Sequence, residues 1–158
     1  MSHKIRWTSQ KISQRLSLIE PLVYRRRQPL GAFKYKVLAG PVSPPPLDAD
    51  TTDWATIEPG AFWATPLTDF MLRGEFQVPA GWDADAPKAL TLPIGDAKDF
   101  SHPEALAYLD GQPYASADRH HREIMLPARV NDGQTHRLAL HGWSGRGNYG
   151  RLQMKECA

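Results

Sequence analysis

From Trp54 onward the apolar residues of this chain recur with a period of two, and no other feature narrows its possible folds so far. In DFMLRGEFQVPAGW, Phe70, Leu72, Gly74, Phe76 and Val78 alternate with Met71, Arg73, Glu75 and Gln77. That pattern describes a half-buried strand, closed by Pro79 and a glycine turn. ALTLPIG, EALAYLDG, REIMLP, HRLALHGW and RLQMKEC follow, each short and bounded by Pro, Gly, Asp or Asn. Helical patterns do not alternate with them, so the spacing predicts an antiparallel β-sandwich or jelly roll rather than a βαβ fold. Within it, Asp110-Gly111 marks a hairpin turn, because glycine takes a positive φ at little cost. No internal repeat is present.

Ahead of this region the text is different. Residues 8–27 carry Ile12, Leu16, Ile19 and Val23 at steps of four, three and four, which places them on one face of a helix. Thr8 is the expected N-cap, with Trp7 and Ile12 placed as a hydrophobic staple. Pro21 sits badly in such a helix, since it removes a backbone donor and kinks or splits the element. The apolar stripe is expected to pack on the β-domain or on a domain outside this chain. Residues 29–53, with GPVSPPPLDADTTD, are rich in Pro, Gly and small polar residues and read as a linker or extended strap. The Pro-Pro-Pro run suits a connector better than a ligand for a polyproline-binding module. The expected organisation is an N-terminal helix over 1–28, a strap over 29–53, and a β-sandwich over 54–158 whose last strand is cut short.

Composition excludes several classes. At 158 residues the chain is one ordinary domain, and nineteen Lys and Arg against seventeen Asp and Glu give a net charge of only +2. No nucleic-acid partner is expected from that balance. Arg25, Arg26 and Arg27 form the one dense basic run, read as a solvated helix end where cations oppose the helix dipole. The single cysteine, Cys157, rules out an internal disulfide framework. MSHKIRWTSQK has no apolar core behind its charges and no apolar run approaches membrane-spanning length. A cytoplasmic protein without a membrane partner is the expectation.

Residues able to carry chemistry are few. DRHHRE supplies Asp118, His120, His121 and Glu123, yet adjacent histidines on a strand point to opposite faces, so polar loop contacts are favoured over a metal site. One of them joining His102, His136 or His141 remains the metal alternative. Trp54, Phe62, Trp63, Trp82 and Trp143 are candidate platforms for sugar rings, with core packing the competing reading for most. Trp143, between Gly142 and Gly145 in HGWSGRGNYG, is the best candidate for an exposed ring. That glycine-rich stretch lacks the Gly-Lys-Ser/Thr of a phosphate loop and reads as a flexible loop. There is no Gly-x-Ser-x-Gly, and Cys157 has no activating context. Glu58, Asp69, Glu75, Asp96, Asp99 and Glu104 offer carboxylates for a glycosidase pair, but such a pair is defined by separation in space.

The order of segments goes further. RRRQPL, WATIEPGAFWATPLTDFMLRGEFQVPAGW, GDAKDFSHPEALAYLDGQPYASADRHHREIMLP and DGQTHRLALHGWSG together resemble the N-terminal region of bacterial family 38 glycoside hydrolases, the α-mannosidases, over essentially the whole chain. Its most specific elements are Glu58-Pro59-Gly60, TDFMLR, EALAYLDG and DRHHREIMLP. The resemblance implies a helix and a β-sandwich of the galactose-binding-like kind preceding a catalytic domain. Retaining hydrolysis of α-mannosides, with an aspartate nucleophile, an acid/base carboxylate and a zinc ion held by His and Asp, would belong to that domain. No catalytic or zinc-binding residue carries over to this chain. The implied partners are the catalytic domain of the same polypeptide, α-mannoside glycans and a second copy in a homo-oligomer. Asp118, His120, His121 and Trp143 are the candidate sugar or interface contacts. A free-standing carbohydrate-binding module and a structural or oligomerisation domain are the alternatives.

Overall fold

A computed structural model of the chain describes residues 7–41, 43–58, 61, 63–92, 94 and 102–146, and the backbone of 153–157. The described residues form a helix, α1 (Thr8–Ile19), followed by ten strands: β1 (Tyr24–Pro29), β2 (Phe33–Leu38), β3 (Ala55–Ile57), β4 (Asp69–Gln77), β5 (Lys88–Thr91), β6 (Glu104–Leu109), β7 (Gln112–Asp118), β8 (Glu123–Met125), β9 (Thr135–Trp143) and β10 (Gln153–Cys157). They assemble into a six-stranded sheet of order β3-β2-β4-β9-β6-β7 and a four-stranded sheet of order β1-β10-β5-β8. Every pairing is antiparallel. The β-sandwich expected from the period-two segments is the observed architecture.

The core lies between the two sheets. Phe70, Leu72 and Phe76 of β4 and Leu138 and Leu140 of β9 project inward from the large sheet, meeting Leu90, Leu92, Ile94 and Ile124 from the small-sheet side. Two glycines on the large sheet make this packing possible. A Cβ on Gly74 would fall 2.8 Å from the Phe33 ring, so the missing side chain is the space that ring occupies. A Cβ on Gly142 would overlap the Glu104 carbonyl oxygen and lie 2.7 Å from Ala105 Cα, its partner across the β9–β6 ladder. The Asp110-Gly111 turn joins β6 to β7 as expected, with φ of 53° and 83°, the two left-handed residues that a tight hairpin of this twist requires.

The outer face of the large sheet is covered at one end. Arg73, projecting outward from β4 and nearly buried, donates from Nη2 to the carbonyls of Pro45 (2.8 Å) and Pro46 (2.5 Å). Its Nη1 donates to Ala49 (3.2 Å) and Leu47 (3.4 Å). The guanidinium also lies 4.7 Å from the centre of the Trp54 ring, which packs on Met71 and Ala139. The strap expected from the proline-rich composition is thus clamped onto the sheet by one cation reading four backbone oxygens. A second buried cation does the same for the 83–86 turn, Lys88 Nζ donating to the carbonyls of Asp83, Ala84 and Ala86.

The N-terminal segment departs from expectation. The helix stops at Ile19, and Glu20–Leu22 tightens into a single 3-10 turn, because Pro21 has no N–H to continue the α-helical ladder. Thr8 is the first helical residue, not the cap; Trp7 takes that place in a left-handed conformation without a side-chain cap bond. No residue of α1 is buried, so the stripe of Ile12, Leu16 and Ile19 does not pack on the sandwich. Arg25, Arg26 and Arg27 lie not at a helix end but in β1, paired with β10. Arg25 pairs with Asp83 at 3.6 Å, Arg26 donates to the Gly81 carbonyl, and Arg27 lies over the Tyr24 ring. β2 likewise brings residues 33–38, read as part of the strap, into the large sheet beside β4.

Candidate functional site: an open cleft around Trp143

Registers across the large sheet determine which side chains meet on its uncovered end. Trp143 of β9 lies directly opposite Asp69 of β4 and Glu104 of β6, and Glu104 lies opposite Asp118 of β7. Opposed residues of an antiparallel ladder share a face, with Cβ atoms about 5 Å apart. Asp69, Trp143, Glu104 and Asp118 therefore form one row across four strands. The next row, toward the strap, holds His141 opposite Leu106, and Leu106 opposite Ser116. These rows floor a cleft of about 510 Å³, with Pro41 at its wall. Trp143 is 37% exposed within it, whereas Trp54 and Trp63 are buried and Trp82 is half-buried against the core.

The tryptophan is held from behind. Ser144, the next residue, is 1% exposed and donates from Oγ to the Thr65 carbonyl at 2.6 Å. It also accepts from the Thr68 N–H at 3.1 Å, and backbone bonds Ser144 N to Thr68 O and Leu67 N to Gly145 O complete the link. The end of β9 is in this way fixed to the loop leading into β4.

Asp118 closes the turn that follows β7. Its Oδ1 accepts the backbone N–H groups of His120 (2.6 Å) and His121 (2.7 Å), and its Oδ2 lies 2.8 Å from His121 Nδ1. The His121 side-chain bond, against the opposing effect of burial and aided by the two backbone donors, brings the Asp118 pKa down to about 2. Glu104 and Asp118 are opposed in the ladder, and the lowered pKa of Asp118 excludes it from the role of general acid. Its lone pairs are spent on organising the turn.

Of the residues singled out from sequence, Asp118 and Trp143 line the same cleft. His121 reaches it only through Asp118, and the His120 ring is instead 3.0 Å from Arg119 Nε, away from the cleft lining. Asp69 and Glu104, which had been counted only among scattered acids, are the members that sequence reasoning missed; the strand register that aligns them with Trp143 was the signal. His136 is nearly buried elsewhere, its Nδ1 2.9 Å from Asp110 and its Nε2 3.1 Å from Asp132. Among the described residues no three His, Cys, Asp or Glu side chains are grouped as a metal site. Phe62, Pro59, Gly60, Asp96, Asp99 and the glycine-rich stretch beyond Arg146 lie outside the described residues, as does the Cys157 side chain.

The fold has solved counterparts. A β-glucuronidase from Bacteroides uniformis matches over 83% of this chain and 18% of its own, with a TM-score of 0.57 at 14% identity. The Ruminococcus gnavus β-glucuronidase, in complex with uronic isofagomine, matches over 85% of this chain and 28% of its own, with a TM-score of 0.52 at 14% identity. An apo β-glucuronidase from Ruminococcus gnavus matches over 85% of this chain and 29% of its own, with a TM-score of 0.52 at 11% identity. At such identities the likeness is one of fold: a two-sheet antiparallel sandwich of a kind contained in glycoside hydrolases. The chain spans less than a third of the length of these structures. No family model and no curated protein matches it.

Proposed function

We propose that this chain is a non-catalytic β-sandwich region of a glycoside hydrolase and, more narrowly, of a family 38 α-mannosidase. The observation that carries the broader reading is the fold, a sandwich that superimposes on a minor part of much longer β-glucuronidases. The narrower reading is supported by the sequence resemblance in TDFMLR, EALAYLDG and DRHHREIMLP. On this reading, bond cleavage and zinc binding belong to a catalytic domain of the same polypeptide, which is the sandwich's principal partner. The sandwich contributes a rigid wall and a sugar-contacting face. The low pKa of Asp118 reflects its part in the turn, where its oxygens are taken up by His120 and His121.

The test is the native polypeptide. Its intact mass and peptide map, followed by assay against aryl α-mannosides and aryl β-glucuronides, should give a product longer than 158 residues that cleaves the mannoside. A polypeptide of this length alone, or one that cleaves only the glucuronide, would overturn the broad or the narrow reading respectively.

A further inference from the structure

We propose that the cleft around Trp143 binds one ring of an uncharged sugar and discriminates against uronic acids. The ligand class rests on the glycoside-hydrolase reading above; the charge preference comes from the cleft itself. Three features combine there. The Trp143 ring, 37% exposed in a cleft of about 510 Å³, offers an apolar platform wide enough for the C–H face of a pyranose. Asp69 and Glu104 flank that ring directly on both neighbouring strands, and neither side chain has a hydrogen-bond or ion-pair partner among the described residues. A carboxylate offers only acceptors, and a sugar hydroxyl is a donor that suits it, giving charge-assisted bonds at the ring's edge.

The backing of the site argues that it is built. Ser144 and its four links to the 65–68 loop fix the platform in position, so little ordering is left to be done on binding. Asp118, the third carboxylate, is occupied by its own turn but keeps its negative charge at any pH above about 2. The cleft therefore faces its ligand with Asp69, Glu104 and Asp118, and among the described residues no Arg or Lys lines it. A uronate brought to the Trp143 platform would meet three carboxylates, one of them paired with His121, and no Arg or Lys among the described lining residues, a repulsion not shared by the neutral glycoside of the same shape.

The experiment uses the full 158-residue chain and its indole N–H resonances, with the Trp143 signal assigned from its disappearance in Trp143→Phe. Methyl α-mannoside, methyl β-glucuronide and tetramethylammonium are titrated separately, at low and at high salt. Expected is a saturable shift of the Trp143 indole with the mannoside, weakened about tenfold or more in Trp143→Ala, as for loss of one aromatic anchor. Asp69→Asn and Glu104→Gln, which preserve shape, should weaken the mannoside and narrow its advantage over the glucuronide. That advantage, about tenfold at low salt, should shrink as salt is added. Glucuronide binding as tight as mannoside binding overturns the charge argument. Saturation by tetramethylammonium alone makes the cleft a cation site and overturns the sugar assignment. The absence of any shift well above millimolar concentration overturns the proposal outright. Because hydrolysis is assayed on the native polypeptide, failure here leaves the glycoside-hydrolase reading standing, and its failure leaves the cleft's ligand measured.

Discussion

Replacing Arg73 with methionine tests whether a single cation holds the strap against the sheet. Methionine matches the aliphatic stem and removes only the guanidinium. Of its four hydrogen bonds, the three at 3.2 Å or less count as full bonds, and the bond to Leu47 at 3.4 Å is weak. At about 1 kcal/mol net for each good bond, with about 1 kcal/mol for the stack on Trp54, the gross loss is about 4 kcal/mol. Two effects offset part of it. The guanidinium is desolvated, which lowers its pKa against the opposing pull of Asp48, and that cost disappears with the charge. The freed strap carbonyls lie near the surface and can turn to water. A net loss of about 2–3 kcal/mol remains, which for a chain of this size is a fall in Tm of roughly 4–12 °C. Arg73→Lys should fall between, because one ammonium cannot span carbonyls from Pro45 to Ala49. Thermal melts give the global term, and amide exchange in residues 43–54 gives the local one. The reasoning is refuted if Arg73→Met melts within about 1 °C of the parent, near the limit of significance for such shifts, and the strap exchanges no faster.

Other perturbations follow from the same structure. Burial opposes charging of His136, but hydrogen bonds and charges from Asp110 and Asp132 outweigh it and raise its pKa. Its contribution is therefore fully present below the ordinary histidine value and lost as pH rises through the raised folded one. His136→Phe should cost about 2 kcal/mol in urea melts at mildly acidic pH, for two charge-assisted bonds, and progressively less above neutrality. A cost that grows with pH would contradict this. Asp110, whose burial is outweighed by bonds from Arg137, His136 and Arg129, and Asp132, bonded chiefly by the Gln134 N–H, are both lowered. Their stabilisation should fade as the solution is acidified through those lowered values. Gly142→Ala forces β9 from β6 and should lose about 1–3 kcal/mol, the usual range for overpacking, while broadening the Trp143 indole signal. Deleting residues 1–22 removes no buried side chain of the described residues 7–22 and should leave Tm within about 2 °C, less than the effect of 1 kcal/mol. By removing exposed Leu16, Leu18, Ile19 and Leu22 it should also reduce self-association in size-exclusion runs; a large loss of Tm would show that α1 packs after all.

What could be read in the sequence was whatever is local. Alternation in DFMLRGEFQV needs only neighbouring residues, and Asp110-Gly111 needs only backbone sterics, so β4 and the β6–β7 hairpin were both legible. Tyr24–Pro29 was not. YRRRQP has no apolar alternation, because β1 is an edge strand with largely exposed side chains, and its strand character comes from pairing with β10 more than a hundred residues later. A run of arginines in such a place looks like a helix end until the partner strand is known. The same limit applied to Arg73, which the alternation placed on a wet outer face; the strap that buries it lies some twenty-five residues earlier in the chain.

The candidate cleft divides in the same way. Composition and spacing alone pointed to an antiparallel sandwich or jelly roll with one promising exposed tryptophan and a polar loop at DRHHRE, since exposure of a ring between glycines and the polarity of a short run are properties of short segments. Only the tertiary structure decided that Asp69, Trp143, Glu104 and Asp118 stand in one row, because strand order and register are set by the packing of the whole core. A slip of one residue in any of these ladders would have turned its carboxylate inward.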